Sequence, residues 1–437
     1  MGERPFVADR VDWEPARAQG PRPRLALICL HTSPTASLGQ SANGGLNVYV
    51  REICSGLSAC GIATDVFTRS HGSGSIQVES LANLSRVIYL PASRPAPDKY
   101  ALLDEVTDFG LHLAGFIADS GLSYSAVYSH YWLSGAVMLG LRERLHLPWL
   151  HTAHTLARVK NRHLAPGARP EPEVRARIET EIAREADLLI VSTSSEGEDM
   201  VLEYGADPAR LAVIAPGVDL RGFSPRERSR ARAALGREGQ RLLLFVGRLE
   251  RLKGVEIILR AFHLAADRRH PDARLVILGE DSDPGIPSER ARLAGIVGDL
   301  GLTGRVEFVG PVPQRELGLW YSASEACLLP SYTESFGLVG LEAQACGTPV
   351  IASNLAGFAS VVRDGVTGFL VDGPDPAMYA ERMGRILADP DLSLTMGRRG
   401  TLLAQRFSWT RTVDSLIRYL DELTSIQGDV QAGIATE

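Results

Sequence analysis

The strongest constraint on how this chain folds is a repeating alternation of short, nearly continuous apolar runs with helix-length segments. Residues 24–30, 63–68, 86–90, 126–129, 149–151 and 187–191 form a first series of such runs. Residues 242–247, 274–278, 305–309, 326–329, 349–352 and 368–371 form a second. A strand that shows neither face to water reads as an unbroken apolar run, and amphipathic helices between such strands supply the covers. The expected fold is therefore α/β, with two doubly covered parallel sheets in tandem. Such sheets bind ligands beyond the carboxyl ends of their strands, so two of them define a cleft. At 437 residues the chain exceeds what one core sustains, which agrees with two domains.

The boundary is legible. Ala215-Pro216-Gly217-Val218-Asp219 ends a strand, and a polar, loop-like run rich in Arg, Pro and Ser follows at 221–232. That places the hinge at about 215–225. Phe407-Ser408-Trp409-Thr410 reads as an N-cap opening a last helix, expected to pack back on the first domain. The expected organisation is a loose tail at 1–23, domains at 24–217 and 218–406, a returning helix at 407–427 and a tail at 428–437. An apolar share of 45% with 22% charged residues excludes a disordered or fibrous chain. A net charge of −6 argues against a nucleic-acid partner. No apolar run approaches a membrane span, and the charged, Pro-containing start shows no leader peptide. Cys29, Cys54, Cys60, Cys327 and Cys346 are scattered, without the C-x2-C pairing of a zinc site. Their usage fits a reducing cytoplasm, the expected location.

Four segments and one dispersed set of residues carry chemistry. In Ser331-Tyr332-Thr333-Glu334-Ser335-Phe336-Gly337-Leu338-Val339-Gly340-Leu341-Glu342-Ala343, two carboxylates flank a small-residue turn that opens into a helix. Helical rise over that interval is about 10–12 Å, the order of the gap from a hexose to a ribose across a diphosphate. Ser335 and Glu342 are close to two turns apart and can face one ligand. Free amides near Phe336, Gly337 and Leu338 would point at an anion, helped by the helix dipole. A charged pair bracketing a buried helix is costly unless it binds something, so the segment suits a nucleotide-sugar clamp. In Phe245-Val246-Gly247-Arg248-Leu249-Glu250-Arg251-Leu252-Lys253-Gly254, Arg248 and Lys253 follow a strand end. Two cations there could hold a leaving diphosphate and stabilise its charge.

Asn43-Gly44-Gly45-Leu46-Asn47-Val48-Tyr49-Val50 lets a backbone approach a phosphate before a helix start. It lacks the G-x-G-x-x-G fingerprint, which disfavours a nicotinamide site. In Trp149-Leu150-His151-Thr152-Ala153-His154-Thr155-Leu156, His154 lies past the strand end, where the cleft should be, whereas His151 reads as structural. Lys99, the Ser129-His130-Tyr131-Trp132 turn, Thr155 and Arg175 supply a Lys, an Arg and hydroxyls, the donor set for a phosphate or carboxylate, although sequence position alone does not bring them together. Asp281-Ser282-Asp283 has the letters of a metal-binding D-x-D but follows a different strand and reads as a loop turn.

Together these residues resemble the retaining GT-B glycosyltransferases of the sucrose-synthase-like family (glycosyl transferase group 1), over about 24–419. The strings that carry the likeness are His31-Thr32-Ser33-Pro34, Gly44-Gly45-Leu46-Asn47-Val48-Tyr49 and His151-Thr152-Ala153-His154-Thr155-Leu156-Ala157. Gly247-Arg248-Leu249 with Lys253-Gly254, and Glu334-Ser335-Phe336-Gly337-Leu338-Val339, add to them. Ser129-His130-Tyr131-Trp132-Leu133-Ser134-Gly135 points to the branch that serves mycothiol biosynthesis by glycosylating an inositol phosphate.

The resemblance implies a GT-B fold, two Rossmann-like domains facing across a cleft. It implies retaining transfer of a hexose, N-acetylglucosamine from UDP-N-acetylglucosamine, to a small anionic acceptor. No cofactor is then required beyond the nucleotide-sugar substrate, and a metal ion is not expected to be essential. The close relatives form dimers, which makes a homodimer a candidate assembly. Residue by residue, Arg248 and Lys253 would hold the diphosphate and Glu342 the ribose hydroxyls. Glu334, with the amides of Ser335, Phe336, Gly337 and Leu338, would hold the donor sugar and its phosphate, with Gly45 alongside. His154 would touch the sugar near its C6 hydroxyl, so that His154, Arg248, Lys253 and Glu334 form the catalytic set. Lys99, Tyr131, Thr155 and Arg175 would bind the acceptor phosphate, with Asn47 beside them. The chain departs from the family pattern at Ala42, Leu46 and Ala356-Gly357-Phe358-Ala359. These changes motivate a second reading, in which another nucleotide sugar (a GDP-linked one, for example) meets a carboxylate- or thiol-bearing acceptor.

Overall fold

The computed structural model describes residues 23–36, 44–70, 75–92, 98–265, 270–281 and 288–434, with side chains to 425. The expected tail at 1–23 apart from its last residue, Ala42, Ser282 and Asp283, and 435–437 lie outside the described residues.

The first sheet contains β1 (Arg24–Ile28), β2 (Ala63–Arg69), β3 (Gln77–Ala82), β4 (Ser85–Leu90), β5 (Ala126–His130), β6 (Trp149–Thr152), β7 (Leu188–Val191) and β8 (Leu211–Val213). Their order is β3-β4-β2-β1-β5-β6-β7-β8, parallel except where β3 runs antiparallel to β4. The second sheet contains β9 (Arg241–Val246), β10 (Ala273–Leu278), β11 (Val306–Gly310), β12 (Ser324–Leu329), β13 (Val350–Ser353) and β14 (Gly368–Val371). It is parallel throughout, in the order β11-β10-β9-β12-β13-β14. Every apolar run became a strand; β12, covered on both faces, is buried at all its positions, whereas in the edge strand β11 only Gly310 is buried. The strands without such a run are β3, an exposed polar edge, and β8, three residues long.

The order reverses between β1 and β5 in the first sheet and between β9 and β12 in the second. Chain leaving the carboxyl ends of strands beside such a point splays apart and leaves a crevice. The segments after β1, β5, β6, β9 and β12 carry most of the candidate residues, and Lys99 comes from the segment after β4.

Two elements differ from the sequence reading. The run at 221–232 holds the start of a helix, Arg228–Ala234. Its Arg228 and Arg232 both pair with Glu325 of β12, so charges that looked like loop solvation anchor the helix to the sheet. The last helix runs Trp409–Ile434, past the limit expected at 427. Gly428 does not stop it, since one glycine costs a helix only about 1 kcal/mol.

That helix lays Trp409, Val413, Leu416 and Leu420 against Tyr49, Val50, Ile53, Cys54 and Leu57 of the helix Gly45–Ala59 and the sheet beneath. The Trp409 and Tyr49 rings meet edge to face, centroids 5.7 Å apart. Removing the Leu416 side chain, 1% exposed, should leave a cavity at this seam. Leu416→Ala is expected to lower stability by about 2–5 kcal/mol in denaturant unfolding of the first domain. A wild-type midpoint would contradict the docking of this helix.

Candidate active site

The second domain supplies a wall of paired charges. After β9, Arg248 Nη2 donates to Glu250 Oε1 at 3.2 Å. A single turn, Arg251–Lys253, then carries Lys253 toward the segment after β12, where its Nζ donates to Glu334 Oε2 at 2.8 Å. The helix beyond spans Leu338–Ala345, with Gly337 as its N-cap at φ 95°. Only glycine adopts that conformation without strain. Glu334 therefore lies in the preceding loop, and helical rise does not set its separation from Glu342. This corrects the sequence reading. The first amides of this helix have no intrahelical acceptor and face whatever lies beyond its start.

Gly357 supports the same loop from behind. A Cβ there would lie 2.3 Å from the Glu334 carbonyl oxygen, so the departure at 356–359 keeps the one residue that contact demands. Glu342 is buried and accepts the Tyr321 hydroxyl at 2.8 Å. Burial pushes its carboxyl up to about 7, against that hydrogen bond.

The first domain faces this wall. A Cβ on Gly45 would lie 3.4 Å from Leu338 Cδ1, so two helix starts meet across the cleft. Ser335 Oγ donates to the His154 carbonyl at 2.7 Å, and Arg251 Nη1 to the Pro166 carbonyl at 3.2 Å. His154 is half-buried; its Nε2 lies 3.1 Å from His130 Nδ1 and its ring stands edge-on to Tyr49. Burial pushes its imidazole down to about 3, so it is neutral near pH 7. Tyr131 and His154 have φ of 74° and 59°. Side-chain-bearing residues seldom sit there, and such strain persists where surrounding structure enforces it, often at functional sites.

Asn47 is placed differently from the acceptor role expected of it. It is fully buried, and its Nδ2 donates to Thr32 Oγ1 at 2.7 Å and to the Ser33 carbonyl at 2.6 Å. Its Oδ1 accepts the Gly44 amide at 3.1 Å. The amide group is used in shaping the loop after β1.

Lys99, Tyr131, Thr155 and Arg175, spread over 77 residues of sequence, are brought together (175 less 99 plus one). Arg175, fully buried, donates from Nη1 to the Tyr131 hydroxyl at 3.3 Å and from Nη2 to Thr155 Oγ1 at 3.0 Å. Its Nε pairs with Glu179 at 2.6 Å. Lys99 Nζ meets Glu171 Oε1 at 2.9 Å, and Arg175 Nη1 meets Glu171 Oε2 at 3.0 Å. Lys160 and Tyr100 also bond Glu171. Sequence reasoning missed Glu171, Lys160 and Tyr100; the available signal was the four-residue step from Glu171 to Arg175 at a helix entry.

The two walls share one electrostatic neighbourhood. Burial leads in pushing the His31 imidazole down to about 3, and the charges of His154, Lys99, Arg175 and Arg248 add to it. Glu250 feels burial against its charge, yet Arg248, Lys253, Lys160 and Lys99 hold its carboxyl below the usual range. Cations of both domains thus bear on the same groups. A cavity of about 140 Å³ opens between the domains, lined by Thr155, Lys160 and Glu196 on one side and Glu334, Ser335 and Gly357 on the other. Among the described residues there is no group of three or more His, Cys, Asp or Glu that could hold a metal ion, and no helix long and apolar enough to cross a membrane.

The family described as "Glycosyl transferases group 1" matches residues 227–402, and the "Glycosyl transferase 4-like domain" matches 44–217. The D-inositol 3-phosphate glycosyltransferase of Corynebacterium jeikeium is 41% identical over 407 residues, 92% of this chain and 97% of that protein. The solved sucrose-phosphate synthase of Thermosynechococcus elongatus superposes with a TM-score of 0.85 at 33% identity, covering 93% of this chain and 100% of that one. HepE of Anabaena, solved in complex with UDP-glucose, gives a TM-score of 0.72 over 91% of this chain and 99% of its own. At 18% identity that likeness carries the fold alone. The protein belongs to the group 1 glycosyl transferases and is a glycosyltransferase of GT-B fold.

The buried groups fix a stability profile. His31, His130, His151 and His154 are held neutral, chiefly by burial, below an unfolded value of about 6.5. Their contribution is present above that value and lost as pH falls through it. Glu196 and Glu342 are raised to about 7, chiefly by burial, so theirs is lost as pH rises toward 7. The four histidines outweigh these two carboxylates and Glu52, whose carboxyl burial also raises. Stability should rise from pH ~4.5 to ~6.5 by on the order of 1–3 kcal/mol per unit, then fall slightly toward ~7. Denaturant midpoints across that range check this, and a midpoint falling from ~5 to ~6.5 would contradict it.

Proposed function

We propose that this glycosyltransferase moves a hexose, N-acetylglucosamine from UDP-N-acetylglucosamine, to the hydroxyl of an inositol phosphate with retention at the anomeric carbon. The observation that carries the reading is the meeting of two cation sets in one cleft. Arg248 and Lys253 come from the second domain, and Lys99, Lys160 and Arg175 from the first. One set suits a diphosphate and the other a phosphate monoester, as a transfer between two anionic substrates requires. The D-inositol 3-phosphate glycosyltransferases that the chain resembles support the acceptor class.

In this reading Arg248 and Lys253 exchange their carboxylate partners for the leaving diphosphate, which also meets the helix start at Leu338. Glu342 takes the ribose hydroxyls. Glu334 and the amides near Ser335 hold the sugar. The bond from the anomeric carbon to the diphosphate oxygen breaks with its electron pair going to the diphosphate. The acceptor oxygen bonds that carbon from the same face and gives its proton to the departing phosphate. His154, neutral near pH 7, is a hydrogen-bond partner for the sugar rather than an acid. Asn47 holds the loop after β1 in shape. Closure of the two domains limits hydrolysis by excluding water.

A panel of nucleotide sugars and acceptors, read by product mass, tests the assignment. Product is expected with UDP-N-acetylglucosamine and an inositol monophosphate; equal turnover of unphosphorylated inositol would overturn the acceptor class. Arg248→Ala and Lys253→Ala should each lower kcat by roughly 10²–10³, as removal of a group that stabilises developing charge does. Rates within about twofold of wild type would remove these cations from the chemistry.

A further inference from the structure

We propose that Glu171 is a built-in occupant of the acceptor's phosphate seat, displaced when a phosphate monoester binds, and that this exchange selects dianionic acceptors over neutral and singly charged ones. The proposal rests on reading Lys99, Tyr131, Thr155 and Arg175 as the acceptor-phosphate set, and it adds a residue and a selection rule to that reading.

The Glu171 side chain is 8% exposed. Both its oxygens accept from Lys99 Nζ, at 2.9 and 3.0 Å. Lys160 bonds Oε1, the Tyr100 hydroxyl bonds Oε2, and Arg175 Nη1 meets Oε2 at 3.0 Å. Tyr131 and Thr155 are each one hydrogen bond further on, through Arg175. The donors expected to grip a phosphate are thus already gathered on a carboxylate. Burial works against its charge, but Arg175, Lys160 and Lys99 overrule it and hold the carboxyl well below the usual range. Glu171 meets an incoming acceptor as an anion.

Charge balance argues for exchange over coexistence. Lys99, Lys160 and Arg175 face two carboxylates, Glu171 and Glu179, which leaves one positive charge uncompensated. A phosphate dianion added beside Glu171 would overfill the site and set like charges together in a water-poor space. In place of Glu171, it brings the cluster to neutrality and offers three terminal oxygens where the carboxylate offers two. A carboxylate acceptor would replace one single charge with another and gain nothing. A neutral polyol would leave Glu171 seated.

The backbone allows the exchange without opening a loop. Pro170 and Pro172 flank Glu171 and restrict the chain on both sides. The Glu171 amide donates to Asn161 Oδ1 at 2.7 Å, and its carbonyl accepts Asn161 Nδ2 at 3.0 Å. The peptide is clasped, so the side chain leaves by rotating among its rotamers.

Glu171→Gln and Glu171→Asp test this with UDP-saturated enzyme, titrated calorimetrically with inorganic phosphate and with an inositol monophosphate. Glu171→Gln is expected to bind inorganic phosphate about tenfold tighter than wild type, with Glu171→Asp in between. Its acceptor KM should fall. Weaker phosphate binding in Glu171→Gln would make Glu171 a brace for the cations and overturn the proposal. Should Glu171→Gln fail to fold, as judged by its melting transition, the charge-keeping Asp variant decides by the same sign. Tighter inorganic phosphate in the variants, with no binding of inositol monophosphate by any form, would support the exchange and remove the substrate reading instead.

Discussion

The cleft depends on one constraint: a buried cation must have an anion. Leaving a charge unpaired away from water costs several kcal/mol, far more than a hydrogen bond to a charged group returns. The constraint is strict for Arg175, fully buried, and looser for Lys160, Lys253, Lys99 and Arg248, whose side chains are 17%, 25%, 35% and 36% exposed, yet each is paired within the protein. Arg248 has Glu250, Lys253 has Glu334, and Lys99, Lys160 and Arg175 have Glu171. In the proposed reaction, substrate anions compete with these carboxylates for the same donors.

The fold presents those pairs at one place. Strand order reverses beside β1 in one sheet and beside β9 in the other; the segments after β9 and β12 carry Arg248, Lys253 and Glu334, while Lys99 comes from the segment after β4 and Lys160, Glu171 and Arg175 from the one after β6. The helix starts at Gly45 and Leu338 meet across the cleft, where a Cβ on Gly45 would stand at contact distance, 3.4 Å, from Leu338 Cδ1. The helix that closes the described chain returns to the first domain and packs on the helix Gly45–Ala59, tying one wall of the cleft to chain that has already passed through the other domain.

The apolar runs made the sheets legible, since a strand buried on both faces has to be apolar along its length. The polar edge β3 and the helix at Arg228–Ala234 were hidden for the converse reason: their residues solvate an edge or pair with Glu325, which one-dimensional composition does not distinguish from a loop. Arg248, Lys253 and Glu334 could be named because they flank strand ends in short strings. The distance argument built on Glu334 and Glu342 lost its basis because it ran helical rise through the turn, where Gly337 takes a positive φ before the helix begins. Glu171 offered only its four-residue step to Arg175, because the other partners that give it significance, Lys99, Tyr100 and Lys160, come from elsewhere in the chain. Asn47 was assigned outward, and its buried amide shows how a polar residue beside a glycine pair can serve the loop itself.

The most direct measurement is a crystal structure with UDP and an inositol monophosphate bound together. The account predicts the diphosphate between Arg248, Lys253 and the helix start at Leu338, with the acceptor phosphate on Lys99, Tyr131, Thr155 and Arg175. A nucleotide lodged elsewhere, with the Arg248–Glu250 and Lys253–Glu334 pairs intact, would contradict it.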